Sequence, residues 1–310
     1  MDIASPERTR VGWIGTGMMG RSMCGHVLKA GYPVVVFNRT KSSAEPLLDR
    51  GAGWADSPAD VARRTDVLFS IVGYPQDVRQ VYLGENGVVS GMEKGRVIVD
   101  MTTSEPSLAV EIAVAAETRG LHSLDAPVSG GDVGAREARL SIMVGGERDV
   151  FDAVMPLFQT MGKSIRYMGP AGAGQHMKAA NQIMVAGTMV GMVESLLYAS
   201  KAGLNPDQVI EVICGGAAAC WSMENYGPRI VKGDMEPGFI IQHFLKDMNV
   251  VLKEAESMNL PLPGVSLSKQ LYIAAKAHGY GERGTQALFR AMAILAAVDE
   301  HPAGKPPKEE

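Results

Sequence analysis

Lys178, Asn181 and Gln182 stand at i, i+3 and i+4, so a helix through them would carry an amine and two amides on one face. A lysine ammonium is a ready acid at neutral pH and a base only where burial lowers its pKa. Facing an interdomain cleft, Lys178 could exchange a proton with a substrate hydroxyl or carbonyl. Taken alone, a surface lysine whose stem snorkels along apolar neighbours is the plainer account. Ser129-Gly130-Gly131 closes the run Asp125-Ala126-Pro127-Val128 at the end of an expected strand. Two residues without side chains could point their N–H groups at a carboxylate beside the Ser129 hydroxyl. A plain strand-to-turn transition accounts for the segment by itself just as well. Asp100-Met101-Thr102-Thr103-Ser104-Glu105-Pro106 ends a strand in hydroxyls. It serves either as an N-cap for the next helix or as a place where Thr103 faces a bound ligand at the strand end. Lys246-Asp247, in a helical run after His243, reads by spacing as a solvated pair and carries little weight.

A second group of residues is built for phosphate. Val11-Gly12-Trp13-Ile14 leads into Gly15-Thr16-Gly17-Met18-Met19-Gly20, a helical stretch follows to Ala30, and Val34-Val35-Val36-Phe37 comes next. Gly15 suits a tight turn, Gly17 lets the backbone approach a pyrophosphate, and Gly20 lets helix and strand pack closely. The helix N-terminus offers free N–H groups and a positive dipole end. Residues 15–20, with Val72 at the end of a later strand, form the expected dinucleotide cradle. An NAD site usually has Asp or Glu about twenty residues past the glycines, accepting from the ribose 2′-OH. This chain has Asn38-Arg39-Thr40-Lys41 there. Arg39 could clamp a 2′-phosphate through its planar fork of donors. NADP(H) is therefore expected over NAD(H), with NAD(H) still open and an ordinary exposed arginine as the bland alternative.

The elements that must hold these groups alternate through the first half. Strands are expected at 66–72, 96–101, 122–128, 140–144 and 164–168, and helices at 57–64, 75–83, 107–120 and 149–161. Such alternation implies parallel βαβ units with a ligand crevice at the carboxyl ends of the strands. The character changes at Gly169-Pro170-Ala171-Gly172. Residues 175–202 read as one long helix joining two domains, followed by helices at 206–214, 221–231, 241–258, 266–278 and 286–298. The tail 301–310 is rich in Pro, Lys and Glu and is expected to be disordered. The expected architecture is an α/β domain over 1–170 and an all-α domain over 171–300, joined by the long helix.

Composition limits the function classes. A 310-residue chain of net charge −4 gives no reason to expect nucleic acid as a partner. No apolar stretch near 18 residues without interruption stands out, so no membrane partner is expected. Residues 1–9 are polar and of mixed charge, unlike a signal peptide. Cys24, Cys214 and Cys220 lack metal-like spacing and are expected to be small buried hydrophobes, which suits the cytoplasm. The six histidines are scattered, and no metal is expected.

Taken in order, the glycine fingerprint, 100–106, 125–131, 172–182 and Lys246-Asp247 resemble the β-hydroxyacid dehydrogenase family, which includes 3-hydroxyisobutyrate dehydrogenase and tartronate semialdehyde reductase. The resemblance runs over about 10–297 and makes the chemical readings of these segments the favoured ones. It implies a Rossmann-type N-terminal domain, a long connecting helix and an all-α C-terminal domain. It implies hydride transfer between NADP(H) and a small 3-hydroxy acid or semialdehyde, with Lys178 as general acid and base. Ser129, Gly130 and Gly131 would hold the substrate carboxylate, Asn181 and Gln182 would contact substrate, and Thr103 and Lys246 would lie near the nicotinamide. A homodimer or homotetramer is expected.

The alternatives are a non-catalytic NADPH-binding or scaffold protein, and an imine-reductase-like enzyme, whose relatives commonly replace the lysine. The chain departs from the family in two places. Several members carry asparagine four residues after the lysine, where Gln182 stands, which leaves open which amide touches substrate. Members also usually have glycine near Ala138 and a small residue near Arg139. Arg136 and Arg139, expected on a rim loop, either favour a second anionic group or face water, with water preferred.

Overall fold

The computed structural model describes residues 2–298; the tail expected at 301–310 lies outside them. Nine strands form one sheet: β1 (Val11–Ile14), β2 (Val34–Phe37), β3 (Gly53–Trp54), β4 (Val67–Ser70), β5 (Val97–Asp100), β6 (His122–Asp125), β7 (Val128–Ser129), β8 (Leu140–Gly146) and β9 (Gly162–Gly169). Their order is β3-β2-β1-β4-β5-β6-β8-β7, with β9 also paired to β8. The first six are parallel, the doubly wound order in which β1 sits at the switch point.

The expectation of parallel units throughout fails after β6. β8 runs antiparallel to both β6 and β7. The short stretch 130–139 holds only the helix Gly131–Arg136 and a turn, too little for a parallel crossover, so the chain has to double back. The helix Arg148–Gln159 then restores a parallel crossover from β8 to β9. The rim loop expected around Arg136 and Arg139 is thus partly helical, since Arg136 ends the helix. Arg136 pairs with Asp132 and Arg139 with Glu137, and all four side chains lie at or near the surface. Ala138 has φ +52, a left-handed conformation that glycine adopts at less cost, which accounts for the family's preference there.

Side chains of the buried strands alternate between two cores, as the two-residue period demands. Val11, Trp13, Val67, Phe69, Val97 and Val99 face one core, which is closed by the helices Met18–Lys29 and Arg148–Gln159. Ile14, Leu68 and Ile98 face the other, which is closed by Pro58–Arg63, Pro75–Leu83 and Pro106–Thr118. All five central helices therefore serve to hold the carboxyl ends of β1, β4, β5 and β6 in fixed register.

The chain parts into two compact units at Ala179/Ala180, and the helix Ala173–Lys201 runs from the first into the second. Contrary to the expectation above, this helix has the length and apolarity of a membrane span. Between Gln182 and Lys201 its only charge is Glu194. Its buried residues Ala186, Met189, Val193 and Leu196 form one helical stripe. The rest of the second unit is built from the helices Pro206–Cys214, Trp221–Val231, Ile241–Ser257, Pro263–Ala275 and Leu288–Ala296. Phe244 and Tyr272 meet edge to face at its centre, centroids 5.0 Å apart. Of the cysteines only Cys24 is fully buried; Cys214 and Cys220 are half-exposed, and the Cys220 sulfur accepts the Met223 N–H as a helix cap.

Candidate active site

The glycine loop leaves the end of β1 in the conformation its residue types require. Gly15 has φ +92, and a Cβ there would lie 2.1 Å from the Ile71 carbonyl oxygen. A Cβ on Gly20 would lie 2.0 Å from the Gly15 carbonyl oxygen, so its bareness lets the first helical turn close onto the loop. Gly17 is different: a Cβ there would meet nothing within 4 Å. Folding leaves that side of the loop open, which suits a backbone approached by a pyrophosphate. The Thr16 hydroxyl is buried without a protein partner, an orphan that a bound phosphate could satisfy. Met18 is exposed, whereas Met19 packs against the core and can offer only its backbone.

Asn38 is occupied in shaping this loop. Its side-chain oxygen accepts the Thr16 N–H at 3.0 Å and its amide donates to the Thr40 carbonyl at 2.9 Å. Arg39 is exposed and donates to Asp77 at 3.0 Å. The Val72 N–H donates to the Thr102 hydroxyl at 3.0 Å, joining the exits of β4 and β5.

Behind these exits lies a buried polar chain. The Ser70 hydroxyl donates to Asp100 at 2.9 Å and contacts the Tyr82 hydroxyl at 2.8 Å, while the Thr102 N–H donates to the same Asp100 oxygen. Burial pushes the Asp100 carboxyl up to about 6, against the opposing pull of the Thr102 and Ser70 hydrogen bonds.

Asp125, opposite Asp100 in the β5–β6 register, fastens the Lys178 helix to the sheet. Its two oxygens accept the N–H groups of Gly172 at 2.7 Å and Gln175 at 2.8 Å, satisfying free donors at the helix start. Burial raises its pKa, while those backbone donors oppose the rise. Gly174 makes the close approach possible, because a Cβ there would lie 2.4 Å from the Met143 carbonyl oxygen. The Gln175 side chain completes the joint: it accepts the Ser104 N–H at 3.0 Å and donates to the Thr102 carbonyl at 2.7 Å. Thr103, half-buried, is therefore pinned on both sides by one residue, and Lys178 follows Gln175 by one turn. Lys178 is only 6% exposed, so the snorkelling surface lysine is set aside. In the same unit, Gly130 (φ +127) and Gly131 (φ +62) hold left-handed backbone beside a half-buried Ser129, a turn that side chains would strain.

The second unit brings Gln182, Lys246 and Asp247 together, with Asn181 half-buried beside Gln182. The Gln182 amide donates to Asp247 at 2.6 Å, and the Lys246 ammonium lies 2.8 Å from the other Asp247 oxygen. With side chains 11% and 3% exposed, Lys246 and Asp247 form a buried pair, which corrects the expectation of a solvated one. Burial and the Lys246 charge hold His243 below the usual histidine range. Asp125, Gln175 and Asp247 were not singled out by sequence. Each stands inside or next to a motif that was, but its role depends on a partner distant in the chain.

The doubly wound sheet and its glycine loop define a dinucleotide-binding protein. Residues 10–169 match the NAD binding domain of 6-phosphogluconate dehydrogenase, and residues 172–292 match the NAD-binding domain of NADP-dependent 3-hydroxyisobutyrate dehydrogenase. The chain belongs to the β-hydroxyacid dehydrogenase family and is an NAD(P)-dependent enzyme acting on CH–OH groups. It is 55% identical to probable 3-hydroxyisobutyrate dehydrogenase-like 1, mitochondrial, of Arabidopsis thaliana, over 96% of this chain and 89% of that one. It is 38% identical to 2-hydroxy-3-oxopropionate reductase of Escherichia coli, over 93% and 98%. Its fold superposes on 3-hydroxyisobutyrate dehydrogenase of Mycobacterium tuberculosis, solved with L-serine, with a TM-score of 0.84, 26% identity and coverage of 92% and 99%.

Proposed function

We propose that the chain moves a hydride between NADP(H) and a small 3-hydroxy acid or its semialdehyde, with Lys178 as general acid and base. The observation that carries this reading is a buried lysine one turn beyond Gln175, which ties its helix to both sides of Thr103. The nicotinamide, when bound, supplies or takes up the hydride. In reduction the Lys178 ammonium gives its proton to the carbonyl-derived oxygen; in oxidation the neutral amine takes the proton of the hydroxyl. Ser129 and the N–H groups of Gly130 and Gly131 hold the substrate carboxylate, and Asn181, one turn beyond Lys178, contacts its polar groups. Gln182 acts through Asp247, and Lys246 sits on the other oxygen of the same carboxylate. Asn38 and Thr40 shape the loop that carries the phosphates, and Arg39 favours the 2′-phosphate of NADP(H).

The named relatives support the substrate class. 3-Hydroxyisobutyrate, 2-hydroxy-3-oxopropionate and L-serine are small acids with oxygen at the third carbon. A screen of purified enzyme on three- to five-carbon semialdehydes and 3-hydroxy acids, with both cofactors, tests the reading. Turnover with NADPH on at least one is expected; tight NADPH binding with no turnover on any would favour a scaffold.

We propose further that a second copy of the chain packs on the long helix. Met184, Gly187, Gly191 and Tyr198 lie on one exposed face of the long helix, and both glycines have open space above them. Close helix packing against a copy would cover this stripe. Light scattering should then give a dimer or tetramer, and Gly187→Leu should shift it towards monomer; a monomeric wild type would contradict this.

A further inference from the structure

The end of β2 lacks the carboxylate that an NAD site usually places there, yet the fold brings one to Arg39 from elsewhere. β1 lies between β2 and β4 in the sheet. Arg39 follows β2, and Asp77 lies in the first turn of the helix Pro75–Leu83 after β4, so their 3.0 Å pair reaches across the exit of β1 where the glycine loop begins. The two partners are not equally free. Asp77 is fixed: its second oxygen accepts the Tyr74 N–H at 3.2 Å in a capping box, and its side chain is 19% exposed. Arg39 is 81% exposed and can swing. Nearby Lys41 is drawn to the Trp54 ring, 5.1 Å from its centroid.

From this geometry we infer that Asp77 is a specificity-determining residue that competes with the 2′-phosphate of NADP(H) for Arg39. The inference rests on the proposed role of Arg39. A phosphate must break the ion pair and then share the arginine with a fixed carboxylate, a repulsive element that an uncharged 2′-hydroxyl does not meet. Asp77 thus narrows the gap between the two cofactors and leaves NAD(H) usable.

Fluorescence titration of the intact enzyme with NADPH and NADH tests this in wild type, Asp77→Asn, Arg39→Gln and the double variant. Asp77→Asn should tighten NADPH by about fivefold or more and leave NADH within about twofold. Asp77→Glu, which keeps the charge, should retain the wild-type ratio. In the Arg39→Gln background the substitution at Asp77 should change the ratio by less than about twofold. An unchanged ratio in Asp77→Asn, with Arg39→Gln still selective against NADPH, overturns the role of Asp77 alone. Equal loss of both cofactors in Arg39→Gln overturns the reading of Arg39, and the inference with it. Should Asp77→Asn fold poorly, Asp77→Ser offers an uncharged acceptor for the Tyr74 N–H and gives the same ratio test.

Discussion

The Gln182 amide donates to the Asp247 carboxylate over 2.6 Å, joining the long helix to the helix that carries Lys246. The contact lies within the second unit and all three side chains are largely buried. Removing this buried carboxylate takes an acceptor from the Gln182 amide and a nearby counter-charge from the Lys246 ammonium.

Asp247→Ala should therefore destabilise the protein by on the order of 3 kcal/mol in chemical denaturation, and Asp247→Asn by less, since it keeps one acceptor. A loss within about 0.5 kcal/mol would show that the pair is solvated after all.

Gly17 separates folding from binding. With open space where its Cβ would stand and φ −69, Gly17→Ala should change stability by less than about 1 kcal/mol. The added methyl should obstruct a pyrophosphate and weaken dinucleotide binding by about tenfold or more. Unchanged affinity by titration would move the phosphates away from this loop.

Asp100 gives stability a pH dependence of defined sign. Its folded pKa of about 6 lies above the ordinary aspartate value, so the native state holds the proton more tightly than the unfolded chain. That advantage is full below about pH 4 and is lost as pH rises through about 6. Asp100→Asn keeps an acceptor for Ser70 and Thr102 and cannot ionise. Relative to wild type it should gain on the order of 3 kcal/mol between pH 4 and pH 8, measured by denaturation across that range. A difference that stays flat with pH would show that Asp100 is ionised throughout.

Much of this arrangement was legible in local pattern. The run into Gly15, the two-residue alternation of the buried strands and the apolar length of the Lys178 helix each state their structure within a few turns. β3, only Gly53–Trp54, is too short to show a period. The helix Gly131–Arg136 starts in two glycines that read as loop, and the return of β8 follows from chain length rather than residue type. Asp125 meets its helix partners 47 and 50 residues on, and Gln182 meets Asp247 65 residues on. Such contacts leave no periodic trace, which is why the side chains that hold Lys178, Thr103 and Lys246 in place emerge only from the fold. Asp77 behaves in the same way: residues 38–44, just after β2, contain no acid, while the exit of β4 delivers one to Arg39.

Proton transfer by Lys178 is open to a decisive measurement: single-turnover reduction of an accepted semialdehyde by Lys178→Ala, alongside NADPH titration of the same variant. The rate should fall by about a thousandfold or more while NADPH affinity stays within about threefold of wild type. Wild-type-like turnover by Lys178→Ala would mean that another group moves the proton.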